Sequence, residues 1–191
     1  MFLLFDNLTA TIIGGTIILV ISAISLGIQQ ASTERAVVHA AKQGLLTIAE
    51  FMERDIHTAG SGLNTGEQAI TGAGEDWIEI QYRLEEDNPQ PLRIRYEAVP
   101  VDTLISPADT LVLYELQRKE NGVITGRSLP YIAYVSFALL DENEQEVGSP
   151  SGAVMIRVRL SMALPFDSHE DAYIRRLYWG TTFRPLALRD R

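Results

Sequence analysis

Chemistry in this chain would have to come from a short set of side chains. Three histidines, His39, His57 and His169, lie on a helix or in a loop, without the spacing of a shared metal site. Serines and threonines are plentiful. No GxSxG elbow, Walker-type loop or HExxH pattern organises them, so nucleophilic, phosphoryl-transfer and zinc-protease chemistry lack a sequence basis. The acidic run Asp141, Glu142, Asn143, Glu144 and Glu146 supplies hard oxygen ligands, which makes Asp141, Asn143 and Glu146 the candidate calcium ligands. It lacks EF-hand spacing and reads better as a solvated hairpin loop. Near the C-terminus, Arg175, Arg176, Arg184, Arg189 and Arg191 form a basic excess. They suit either an exposed strand face or a contact with an acidic neighbour, where complementary charge sets register. These residues point to no enzyme and no cofactor.

Composition narrows the partners. With 25 acidic against 16 basic residues the formal net charge is -9, which disfavours nucleic acid as a primary partner. There are no cysteines, so neither a disulfide framework nor a thiolate metal site can form.

The first element that could position anything is apolar. No charged residue occurs from Asn7 to Thr33, and Leu8 to Ile28 would make a helix of about 31 Å, enough to span a hydrocarbon core. The start MFLLFDN has no basic residue, as a secretory signal would require. The helical pattern also continues beyond the apolar run. Gly14, Gly15, Ser22, Ala23, Ser25 and Gly27 are either tolerated in a plain single-span anchor or allow helices to approach closely. Composition leaves both readings open. Orientation is weakly marked, since only Arg35 and Lys42 flank the segment.

After residue 33 the pattern becomes amphipathic. Val38, Ala41, Leu45, Ile48, Met52 and Ile56 step by three or four and form one stripe that must pack on something. Glu34, Lys42, Glu50, Glu53, Arg54 and Asp55 are expected on the solvated side, with Glu50 and Arg54 spaced for an ion pair. Gly60, Ser61 and Gly62 end the helix.

The remainder reads as strands: 77–84, 91–99, 110–117, 131–140, 153–164 and 173–183, several alternating between apolar and polar residues. Hairpins are expected through EEDNPQ (85–90), at Asn121 and Gly122, and through DENEQEVGSPSG (141–152). The expected fold is therefore α+β, a long helix packed on an antiparallel sheet, with an anchoring segment over residues 1–33 and a helix-plus-head segment over residues 34–191.

Three stretches resemble the type IV pilin superfamily, in particular PilW-type minor pilins and J-type minor pseudopilins of type II secretion. FLLFD before the apolar helix places Phe2 and Asp6 where such subunits carry their first-position Phe and fifth-position Glu. QGLLTIAEFMERDIHTAGSGL (43–63) is similar to the helix end of PilW-type proteins, and YIRRLYWGTTFRPLALR (173–189) to their C-terminal pattern. The resemblance implies a pilin-like subunit that joins other such subunits, self or hetero, through its helix. It also implies a single-pass stage in the inner membrane, N-terminus inside, before an extracellular or periplasmic filament. The acid's implied role is to meet a neighbouring N-terminal amine in the apolar filament core, where an unpaired charge would be costly. Asp stands here in place of Glu, and Gly14, Gly15 and Gly27 take the place of the helix proline common in major pilins. The competing expectation is a signal-anchored monomer whose head binds a ligand.

Overall fold

The computed structural model describes the backbone of residues 2–84, 90–106, 109–167 and 172–188, and side chains there from residue 7 onward except at 106, 109, 167, 172 and 173. His169, Arg189, Arg191, nearly all of the 85–90 loop and the side chains of Phe2 and Asp6 lie outside the described residues. The chain forms two compact units, Met1–Ala40 and Ala41–Arg191.

Helix α1 runs Phe2–Thr58. Its first portion, within the first unit, is long and apolar enough to cross a membrane. In the second unit its last turns bury Ala41, Leu45, Ala49, Met52 and Ile56, a spacing of three and four that makes one continuous stripe. Of the expected stripe, Ile48 is only half-buried, and Val38, in the first unit, is likewise half-buried. The small Ala49, also buried, takes the central place in the stripe. The helix ends as its glycines predict. Gly60 and Gly62 adopt positive φ of 84° and 67°, and Gly60 N–H donates to Gln81 O at 2.9 Å, fixing the chain to the sheet at once.

Among the described residues eight antiparallel strands follow: β1 Ile70–Ala73, β2 Trp77–Tyr82, β3 Leu92–Ser106, β4 Asp109–Glu120, β5 Val123–Arg127, β6 Ile132–Leu140, β7 Met155–Asp167 and β8 Ala172–Phe183. They form one sheet in the order β1-β2-β3-β4-β6-β7-β8, with β5 paired to β4. All six expected strands are present, and the hairpins at Asn121–Gly122 and across 141–152 form as read. Asn121 and Gly122 supply the two positive φ angles, 47° and 85°, that a tight two-residue hairpin needs.

Two features depart from the sequence reading. β3 continues past Val99 to Ser106, because a register shift between Pro100 and Asp102 absorbs the proline without ending the ladder. β1 is an additional strand, too short to show alternation.

One sheet face carries the core. Ile78, Ile80, Ile94, Tyr96, Leu116, Phe137, Ile156, Val158, Leu160 and Met162 are all buried, and with the α1 stripe they exclude water from both surfaces. Each large aliphatic so covered contributes about 1.5–3 kcal/mol. The opposite face is polar, as alternation requires.

Candidate functional site

The apolar portion of α1 presents the first candidate surface. From Leu8 to Ile28 its large side chains are exposed, Ile18, Leu19, Leu26 and Ile28 among them, and Gly14, Gly15 and Gly27 have open space where a Cβ would stand. Thr11 and Thr16 turn their hydroxyls back to the carbonyls of Asn7 and Ile12, each at 2.8 Å, which removes two polar groups from the helix surface. What remains is a row of aliphatic side chains with small gaps, a surface suited to packing and not to bond chemistry.

The second candidate lies beneath the helix in the second unit. Asp55, expected on the solvated side, is instead only 4% exposed. Its Oδ2 accepts from Tyr96 Oη and from Arg118 Nε, both at 2.6 Å, and its Oδ1 accepts from Arg118 Nη2 at 3.2 Å. Arg118 Nη1 in turn donates to Glu120 and to Thr125 Oγ1, the latter at 2.9 Å. A carboxylate so deeply placed needs this many donors, because a buried charge without them costs several kcal/mol. The pleat brings the donors together. Tyr96 on β3 pairs directly with Arg118 on β4, and both project toward the helix.

This environment sets protonation. Burial, then the Asp55 charge and hydrogen bond, hold the Tyr96 phenol far above its ordinary value. Burial raises Tyr82 too, with Asp55 adding to it and Arg118 opposing. For Arg118 burial acts downward, but the hydrogen bonds to Asp55 and Glu120 outweigh it and the value rises. Tyr96 thus remains a neutral donor and Arg118 a cation. With three donated hydrogen bonds on its two oxygens, Asp55 is a fastening point between helix and sheet. Its position was partly legible: Met52, Asp55 and Ala59 continue the stripe's own spacing.

The outer sheet face divides into two electrostatic halves. Over β2–β5 several charges answer one another. Lys119 Nζ donates to Glu97 Oε2 at 2.6 Å, Arg95 reaches Glu97 Oε1 at 3.3 Å while lying 4.0 Å over the Trp77 ring, and Arg127 meets Glu115 at 3.3 Å. The Lys119 hydrogen bond draws the Glu97 value down, with burial opposing and Arg95 assisting. A shallow cleft of about 640 Å³ lies over this half, with Glu79, Arg93, Arg95 and Lys119 on its walls. Over β6–β8 the outward positions hold arginines and tyrosines.

Among the described residues the C-terminal arginines are spread over more than one surface. Arg175 and Arg176 are consecutive in a regular β-ladder and so emerge on opposite faces, while Arg184 lies beyond the strand and is exposed. In the acidic turn, Asp141 Oδ1 accepts from Asn143 N at 2.8 Å and Gln145 N at 2.9 Å, the bonds of a self-capped turn. Glu146 points toward Arg157 at 3.9 Å. Among the described residues no three His, Cys, Asp or Glu side chains converge as metal ligands. His39 is exposed; His57 stands edge-on to Phe183, 6.0 Å between centroids, and 3.8 Å from Glu53.

Comparison with protein-family profiles, with curated proteins and with solved structures returns no match to this chain.

Proposed function

We propose that this chain is a structural subunit of a type IV pilus-like filament, a minor pilin or pilin-like protein that assembles through its apolar N-terminal helix. The observation that carries the reading is the double character of one unbroken helix. From residue 7 to residue 33 it is uncharged, apolar and exposed; after residue 40 it is amphipathic and covered by the sheet. A surface row of Ile, Leu and Val interrupted by Gly14, Gly15 and Gly27 is stable only in lipid or against other helices, and such a helix can use both environments in turn.

The resemblance supplies the remaining elements of the proposal: single-pass residence in the inner membrane, then transfer into an extracellular or periplasmic filament with like subunits. Phe2 and Asp6 would form the assembly contact at the helix start, a neighbour's amine neutralising the carboxylate. The Asp55 cluster serves the same end by fixing the sheet on the last turns of the helix, so that the head keeps one form in every subunit. Activity in this reading is assembly and needs no cofactor.

Electron microscopy of sheared surface filaments, with subunits identified by mass, tests the proposal. The wild-type chain is expected in filaments, and Asp6→Ala is expected to be excluded from them while its head unfolds at the same denaturant concentration. Filaments that lack the wild-type chain, or that accept Asp6→Ala normally, would overturn it.

A further inference from the structure

On the outer face of the sheet, β6, β7 and β8 carry cations and aromatics but no carboxylate among their described outward positions. Cross-strand pairing aligns Tyr134, Ser161 and Tyr178 in one row, with Arg159 beside Gly180 in the next and Arg157 beside Thr182 beyond. Ser161 is buried between two tyrosines that are themselves 46% and 72% exposed. Arg159 is exposed and has no hydrogen bond or ion pair among the described residues, and its side chain runs close to Gly180, where a Cβ would stand 3.5 Å from Arg159 Cγ. Arg176 stands on the same face beyond Tyr178. Tyrosine and arginine around a small buried centre are the residue types that dominate protein interfaces.

Two facts identify what would cover this face. Much of the rest of the sheet's outer surface pairs its charges, Glu97 with Arg95 and Lys119 and Glu115 with Arg127, whereas Arg159 here is left unanswered, although the chain as a whole carries -9. Among the described residues the β6–β7 turn concentrates exposed acid, with Glu142, Glu144 and Glu146 all exposed. In its own chain that turn only grazes the nearest arginine: Glu144 and Glu146 stand 4.0 and 3.9 Å from Arg157. It starts where Leu140 pairs with Met155, six residues along β7 from Ser161, or about 20 Å at the rise of a strand. The turn of one molecule therefore cannot reach its own Tyr178 row.

We propose that this face docks a second copy of the chain, the acidic 142–146 turn of one copy seating against Arg159, Arg176 and the Tyr134–Tyr178 row of the next. Because donor and acceptor surfaces differ, the contact can repeat head-to-tail, each copy offering its own turn to the next. The inference rests on the assembly reading above and names the partner surface of the head. Charge complementarity gives it register, and the tyrosines supply the desolvated contact.

The absence of native cysteine permits a direct test. Asn143→Cys and Tyr178→Cys, placed together in the full-length chain in mild detergent, keep every charge. They are too far apart within one molecule for a disulfide, which needs Cα atoms within about 7 Å. Oxidation at low salt is expected to give a ladder of dimers and longer species. Adding Arg159→Glu should reduce the ladder about tenfold, and adding Glu142→Lys and Glu144→Lys to that variant should partly restore it. Urea melts of each variant check that the head remains folded. A ladder indifferent to Arg159→Glu, or no ladder from molecules that still associate through their helices, overturns this contact and leaves the assembly reading standing. Molecules that never associate, in detergent or in filaments, overturn both.

Discussion

Asp55 Oδ2 and Tyr96 Oη lie 2.6 Å apart although forty-one positions separate them in the chain. The bond joins α1 to β3, and Arg118 extends it to β4, so one buried carboxylate ties the helix to two adjacent strands. A hydrophobic stripe alone can slide or rotate by a fraction of a turn on a sheet. A bidentate arginine and a phenol on one carboxylate define a single helix register.

Asp55→Ala should therefore destabilise the head by about 3 kcal/mol, because it leaves Arg118 and Tyr96 with unmet partners beneath the helix. Asp55→Asn, which still accepts from Tyr96 but cannot neutralise Arg118, should lose somewhat less. Urea unfolding of the full-length protein, followed through Trp77 and Trp179, measures both. A loss below about 0.5 kcal/mol, typical of surface substitutions, would show that the cluster does not fasten the helix.

Alkaline pH should weaken the head. Folding raises the Tyr96 and Tyr82 values above the 10.0 of an unfolded phenol. The unfolded chain therefore releases these protons first, and the stabilisation they provide is complete below about pH 10 and declines above it. Glu97 behaves oppositely: its value lies below 4.5, so its contribution holds above that pH and fades on acidification, and its partial exposure keeps that contribution small. Unfolding midpoints compared at about pH 8 and about pH 11 should fall at the higher value, and fall less in Tyr96→Phe than in the wild type.

Gly62 and Gly66 both have positive φ, 67° and 98°, but only Gly62 is crowded: a Cβ there would lie 2.6 Å from Arg83 O, while Gly66 has nothing within 4 Å. Gly66→Ala should cost about 1 kcal/mol of backbone strain, and Gly62→Ala about 1–3 kcal/mol more from the clash with the chain leaving β2. Equal midpoints for the two variants would contradict the close approach at the helix end.

Gly14→Ile with Gly15→Ile should leave the head's unfolding midpoint unchanged, since neither position touches a side chain in the structure. Under the assembly proposal the pair should lower filament incorporation about tenfold by holding neighbouring helices apart. Mass spectrometry of sheared filaments against total membrane protein reads the ratio. Unchanged incorporation would mean that the small residues are only tolerated in an anchor.

Much of this architecture is written in local pattern. The apolar run to Ile28, the stripe Ala41–Leu45–Met52–Ile56, the stop at Gly60 and Gly62 and the Asn121–Gly122 hairpin each follow from spacing within a few residues, because helix and strand periods act at that range. The tertiary structure decided what depends on remote partners. Asp55 reads as a surface acid until Tyr96 and Arg118 arrive to meet it, β3 passes Pro100 only because β4 shifts register opposite, and β1 forms only because β2 offers an edge. The outer face has the same logic. Arg159, Tyr134 and Tyr178 are scattered in sequence and adjacent only through strand register, so their common surface exists nowhere in the linear pattern. Periodicity specifies which face of an element is apolar, whereas long-range pairing alone determines which charges that face must bury and which the other face leaves unanswered.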